Sequence, residues 1–122
     1  MPFEITITKE FCAAHQLRFP DGSLEPVHGH NWVVKVTVGR RGLDELGCVM
    51  DFHVLENQLD DLLHPWNNKH LNQIHPFVQE LNPSAENVCF AIARALHFSE
   101  NVQLISVSVT EAPGCMATYR VS

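Results

Sequence analysis

The stretch Val27-His28-Gly29-His30-Asn31-Trp32, continued as far as Val38, decides how this chain reads. His30, Trp32, Val34, Val36 and Val38 fall at every second position, the spacing of side chains along one face of an extended strand. His28 belongs to the same series, so two imidazoles project from one face, where a single metal ion could meet both. Catalytic zinc ordinarily takes three protein ligands and keeps a fourth position open, which directs attention to a third histidine. His15, in Phe11-Cys12-Ala13-Ala14-His15, is the best candidate: small residues precede it, and Gly29 leaves no side chain between the other two. An H-x-H by itself is common, and a lone histidine beside an apolar run is more often packed or solvated than ligating. The candidate site therefore rests on the three together.

Working outward, Phe3, Ile5 and Ile7 alternate with Glu4, Thr6 and Thr8, which predicts a strand that runs towards Phe11 and delivers His15 at its end. Residues 16–27 carry Pro20, Asp21-Gly22 and Pro26 and hold no period, so they read as the loop that returns the chain to His28. Beyond a turn over 39–47, Asp51 is a helix cap, and Val54, Leu55, Leu59, Leu62 and Leu63 form a helical stripe that ends before Pro65. Residues 66–82 read as a polar, irregular connection. Ser84 caps a second helix, with Glu86 in its first turn and a stripe of Val88, Ala91, Ile92, Ala95 and Leu96. Ile105, Val107 and Val109 restore the alternation up to Glu111. Ala112-Pro113-Gly114 turns the chain, and residues 116–121 pair back. The order ββααββ gives an α+β fold, an antiparallel four-stranded sheet with two helices on one face.

At 122 residues the chain reads as one domain, 1–122, large enough to bury a core without disulfides. Its 45% apolar and 18% charged residues are those of a globular protein. No apolar run has transmembrane length and no leader opens the chain, so the expectation is a cytoplasmic protein with no membrane role. Cys12, Cys48, Cys89 and Cys115 are scattered, without a C-x-x-C pair, and read as free thiols. The net charge is -6 and only Arg40-Arg41 are adjacent basic residues, so no concentrated basic face exists and nucleic acid is not an expected partner.

Five pieces then occur in order: Phe11-x-Ala13-Ala14-His15; His28-Gly29-His30-Asn31; Gly47-x-Val49-x-Asp51-Phe52; Asn82-Pro83-Ser84-x-Glu86-Asn87; and Val109-Thr110-Glu111. Together they resemble the 6-pyruvoyltetrahydropterin synthase and 6-carboxytetrahydropterin synthase family across essentially the whole chain. The resemblance implies a tunnelling fold, in which trimers join their sheets into a twelve-stranded barrel and stack as homohexamers with active sites between subunits. It implies that His15, His28 and His30 bind Zn2+, that Thr110 and Glu111 hold a small-molecule pterin, and that the substrate is 7,8-dihydroneopterin triphosphate. A carboxylate suits the anchoring role, because it can accept two parallel hydrogen bonds from the ring N–H and exocyclic amine of a pterin.

The chain departs from that family where protons move. Leu24 stands at the position of the usual cysteine, four residues before His28, and Asn67-Asn68 stand at the position of the usual Asp-His pair. Neither leucine nor an amide relays a proton. Glu25 resembles the glutamate of a subgroup that cleaves the side chain to 6-hydroxymethyl-dihydropterin, and as a partly buried carboxylate it is the candidate base. His70, or alternatively His64, is the candidate acid. The bland readings are a solvated loop carboxylate for Glu25 and a surface imidazole for His70. Three readings stay open: a zinc-dependent pterin lyase with altered proton-transfer residues; a non-catalytic homologue that binds metal and pterin; and a fold relative with a structural metal, for which the sequence offers no evident fourth ligand.

Overall fold

A computed structural model describes residues 1–121. Two long strands, β1 (Phe3–His15) and β2 (His28–Arg40), pair antiparallel along their whole length, Phe3 opposite Arg40 and His15 opposite His28. β4 (Gln103–Ala112) pairs with the other edge of β2, and β5 (Cys115–Arg120) closes a hairpin on β4. Gly114, at φ +83, supplies the left-handed residue that this hairpin turn needs. The four expected strands form one sheet, with one addition. Lys69–His70 form a two-residue strand, β3, parallel to Ala13-Ala14 at the outer edge of β1, so the sheet has five strands in the order β3-β1-β2-β4-β5. Two residues cannot show a period, which is why this strand is silent in the sequence.

The helices α1 (Phe52–Leu63) and α2 (Ala85–Ala95) start where the caps predict. Asp51 accepts the His53 N–H at 2.8 Å and Ser84 accepts the Asn87 N–H at 3.1 Å, each satisfying a donor that the first helical turn leaves free. The core lies between these helices and one sheet face, where Trp32, Val34, Val36, Val38, Val107 and Val109 are fully buried. Lys9 also stands on this face and is drawn to α1 by Glu56 and Asp60, at 3.5 and 3.4 Å. Two stripe positions differ from expectation: Val54 and Ala95 are exposed, while Cys89 and Ala93 are buried. The α2 stripe is thus shifted round the helix, since the neighbours and not the period alone decide which face is covered. The 66–82 connection is not a surface loop throughout, for Trp66, Leu71 and Phe77 are buried in the core.

Candidate metal and pterin site

Cross-strand pairing assembles the site. His15 and His28 are direct partners across β1 and β2, and His30 lies two residues along the same face. The three rings stand edge to face, with centroids 4.5 to 5.3 Å apart. The pairing of β4 with β2 ends at Thr110 opposite Val33, and Glu111, the next residue and on the same face as Val109, joins the histidines from that side. One atom from each of His15, His28, His30 and Glu111 can be chosen so that all lie within 4.8 Å of one another. Glu111 thus sets a carboxylate against the three imidazoles, on one wall of the same site.

Proton positions follow from the partners. His15 Nδ1 is 2.7 Å from the Pro83 carbonyl and His28 Nδ1 is 3.0 Å from the Pro26 carbonyl. A carbonyl oxygen can only accept, so each ring donates from Nδ1, and in a neutral ring the Nε2 lone pair is left for another partner. The Glu111 Oε1 lies 2.7 Å from His15 Nε2 and 3.4 Å from His30 Nε2. Both nitrogens are buried and, among the described residues, neither has a partner in hydrogen-bonding geometry. Lone pairs and a carboxylate facing one another repel unless a proton or a metal cation lies among them, and three imidazoles with a carboxylate form a donor set suited to zinc or a similar divalent ion. Burial pushes the His30 pKa down; Glu111 opposes that shift, while His15 and His28 add to it. Burial thus favours the neutral ring that a metal ligand requires.

The other expected residues fall around this group at different distances. Glu25 is beside it: its Oε1 is 3.9 Å from His28 Nε2 and accepts the Leu17 N–H at 3.0 Å. Thr110 pairs with Val33 on the opposite sheet face from the histidines, and reaches the site only as part of a cavity rim. That cavity, about 390 Å³, runs round the end of the sheet and is lined by Gly29, His30, Asn31, Val33, Thr110 and Glu111 among others. His70 is outside the group; its register partner on β1 is Ala14, one residue from the ligand face, and its Nδ1 is buried without a partner. Leu24 is half-exposed, and His64 lies by Glu10, Asp60 and Asn67 at another depression. Gly29 is not required for space within the subunit, since an added Cβ would meet nothing within 4 Å. A larger depression of about 540 Å³ lies by Arg40 and residues 43–46, at the far end of β2 from the histidines. Sequence reasoning missed the Pro83 and Pro26 carbonyls, because a backbone acceptor leaves no mark in residue type.

Known proteins include relatives of this chain in sequence and in fold. The family described as 6-pyruvoyl tetrahydropterin synthase matches residues 4–122. A 6-carboxy-5,6,7,8-tetrahydropterin synthase of Synechocystis is 33% identical over 123 residues, covering 93% of this chain and 91% of the relative. One from Rickettsia bellii is 25% identical over 130 residues, covering 87% and 91%. Among solved structures, the 6-pyruvoyl tetrahydropterin synthase of Caenorhabditis elegans superposes with a TM-score of 0.83 at 22% identity, covering 98% of this chain and 96% of that one. A Plasmodium vivax 6-pyruvoyltetrahydropterin synthase, a catalytic-residue mutant with a glutamate changed to alanine, gives 0.79 at 17% identity and 98% coverage of both chains. At such identities the structural likeness is one of fold.

Proposed function

The chain belongs to the 6-pyruvoyl tetrahydropterin synthase family, and on that premise we propose that it is a zinc-dependent pterin lyase acting on 7,8-dihydroneopterin triphosphate. The observation that carries the reading is the proton bookkeeping at His15 and His28, whose Nδ1–H groups are committed to carbonyls while Nε2 of His15 faces the Glu111 carboxylate. His15, His28 and His30 would hold the ion. When bound, zinc would act as a Lewis acid on the substrate's side-chain hydroxyls. Glu111, on the wall of the 390 Å³ cavity, would anchor the pterin edge, with Thr110 at its rim.

For the product we favour 6-hydroxymethyl-dihydropterin. Glu25 takes the proton of the second side-chain hydroxyl; the bond between the first and second side-chain carbons breaks, and the second carbon leaves as an aldehyde. The electron pair passes into the adjacent ring imine, and a proton returned to the first carbon, for which His70 is the candidate donor, completes the hydroxymethyl group. Glu25 is the protein carboxylate nearest His28, and a glutamate is the catalytic residue altered in the Plasmodium vivax relative. The Synechocystis and Rickettsia relatives are carboxy-tetrahydropterin synthases, but Leu24 removes the thiol that the resemblance would require for that route.

A second reading, a non-catalytic protein that binds metal and pterin, draws on Asn67 and Asn68, whose groups are tied to the Cys12 backbone. Incubating zinc-loaded protein with 7,8-dihydroneopterin triphosphate, separating the products by chromatography and running Glu25→Gln alongside decides between them. Hydroxymethyl-dihydropterin that disappears in Glu25→Gln is the expected result. A carboxy or pyruvoyl pterin would transfer the role of base to another group, and tight binding without turnover would favour the second reading. The working form we propose is one pterin-synthase-like domain, 1–122, in a homohexamer formed as a dimer of trimers, with a small pterin and not nucleic acid as its partner. Four free thiols suit a reducing compartment, and we place the protein in the cytoplasm. Among the described residues no helix is long and apolar enough to cross a membrane.

A further inference from the structure

We propose that Arg18 is a positioning residue, setting both His15 and Glu25 by gripping the segments on which their partners lie. The part of this proposal that concerns zinc rests on the reading above; the part that concerns hydrogen bonding does not.

β1 ends at His15, yet the backbone of the next three residues stays paired. Gln16 donates its N–H to Asn72 Oδ1 at 3.0 Å and accepts from Asn72 Nδ2 at 2.8 Å. Arg18 donates its N–H to Asn82 Oδ1 at 2.8 Å and accepts from Asn82 Nδ2 at 3.1 Å. An asparagine amide offers the same donor and acceptor as a peptide group, so each of these side chains stands in for a neighbouring strand residue. Leu17, between them, faces the other way. Its N–H goes to Glu25 Oε1 at 3.0 Å and its carbonyl accepts the Glu25 N–H at 3.1 Å.

The Arg18 side chain ties this rail to the 77–83 segment. Its Nη1 donates to the Phe77 carbonyl at 2.8 Å and its Nη2 to the Leu81 carbonyl at 2.7 Å. Two residues after Leu81 comes Pro83, whose carbonyl takes the His15 Nδ1–H. One guanidinium therefore fixes the acceptor that selects the His15 tautomer and, through Leu17, the backbone donor that holds the Glu25 carboxylate near His28. Its planar fork can serve two carbonyls at once, whereas a lysine ammonium is a flexible point donor that cannot hold both in this geometry. Groups that orient a metal-binding histidine from behind commonly set affinity as strongly as this implies.

The test compares wild type, Arg18→Ala and Arg18→Lys as full chains, each checked for folding by near-ultraviolet circular dichroism. The first readout is the tautomer of His15, from its ring-nitrogen chemical shifts. The second is zinc affinity by competition with a chromophoric chelator. We expect the Nδ1–H tautomer in wild type, and in Arg18→Ala a mixture of tautomers with about 10- to 100-fold weaker zinc binding. Arg18→Lys should fall between them on both readouts. A folded Arg18→Ala with the wild-type tautomer and unchanged zinc affinity overturns the proposal. If Arg18→Ala does not fold, Arg18→Lys decides: wild-type values on both readouts overturn the proposal in the same way. Should wild type bind no zinc, the metal reading fails, while the tautomer readout still tests the clamp.

Discussion

Replacing His15 and His28 by alanine, one at a time, separates ligation from packing. Structural zinc in small domains is held by about 10–16 kcal/mol over four ligands, so one ligand is worth roughly 3 kcal/mol. That corresponds to about 100-fold in affinity, and both variants should lose zinc binding by this order. Their effects without metal should differ. His15 is 1% exposed, its ring stands edge-on to Trp32 at 4.8 Å, and its removal strands the Pro83 carbonyl. The stranded carbonyl costs about 1–3 kcal/mol and the lost aromatic contact about 1 kcal/mol, together about 2–4 kcal/mol of folding stability. The His28 side chain is 40% exposed, so truncation there should stay within about 0.5 kcal/mol. Chelator competition reads the first effect, and urea unfolding of chelator-treated protein reads the second. Zinc affinity unchanged in both variants would remove the site as described, and equal destabilisation would refute the placement of His15 in the core.

Two further outcomes can be checked with little effort. Burial pushes the Cys89 thiol up to about 11, so a thiol reagent at mildly alkaline pH should label Cys12, Cys48 and Cys115 in the native protein and Cys89 only after denaturation. The same shift gives a sign for stability: the contribution is intact below the ordinary thiol value of 9.0 and drains as pH rises towards about 11, because the unfolded thiol ionises first. Trp32→Phe removes the indole N–H that reaches the Ala13 carbonyl at 3.1 Å and should cost about 1–3 kcal/mol in urea unfolding, with zinc affinity little changed.

What the sequence made legible was whatever has a period or a cap. The alternation from His30 to Val38 predicted the central strand and its buried face, Asp51 and Ser84 predicted both helix starts, and the placement of His15 at the end of β1 put three histidines within reach of one another. Glu111 was legible as a strand-end carboxylate in the series Val107, Val109, Glu111, but its closeness to the imidazoles depends on the register of β4 on β2, which sets Val109 opposite Val34 and has no residue signature. Thr110 illustrates the converse. It neighbours Glu111 in sequence, yet in a strand the next residue faces the other side, and the structure sets it opposite Val33. His70, the candidate acid, likewise stands off the face of the three histidines, in register with Ala14, and a two-residue strand gives no sequence signal of that position.

The polar connection of residues 66–82 makes a larger point about what asparagine can do. Asn67 accepts the Cys12 N–H at 2.9 Å and the Asn68 N–H reaches the Cys12 carbonyl at 2.6 Å, with Asn68 in the left-handed conformation, φ 61, that asparagine tolerates. Asn72 then serves Gln16 and Asn82 serves Arg18, so amides continue the pairing of the β1 edge on either side of the two residues that β3 covers. A stretch without a period, which reads as a loop, is in fact the neighbour of a strand. The Asn67 side-chain oxygen and the Asn68 backbone N–H are occupied in this clasp, and neither side-chain amide ionises to serve as a general acid or base. Asn67 and Asn68 are thus put to structural use in this chain. On the proposed function, proton transfer at the histidine cluster would then fall to other groups, and Glu25, which accepts the Leu17 N–H and stands 3.9 Å from His28, is the base we propose.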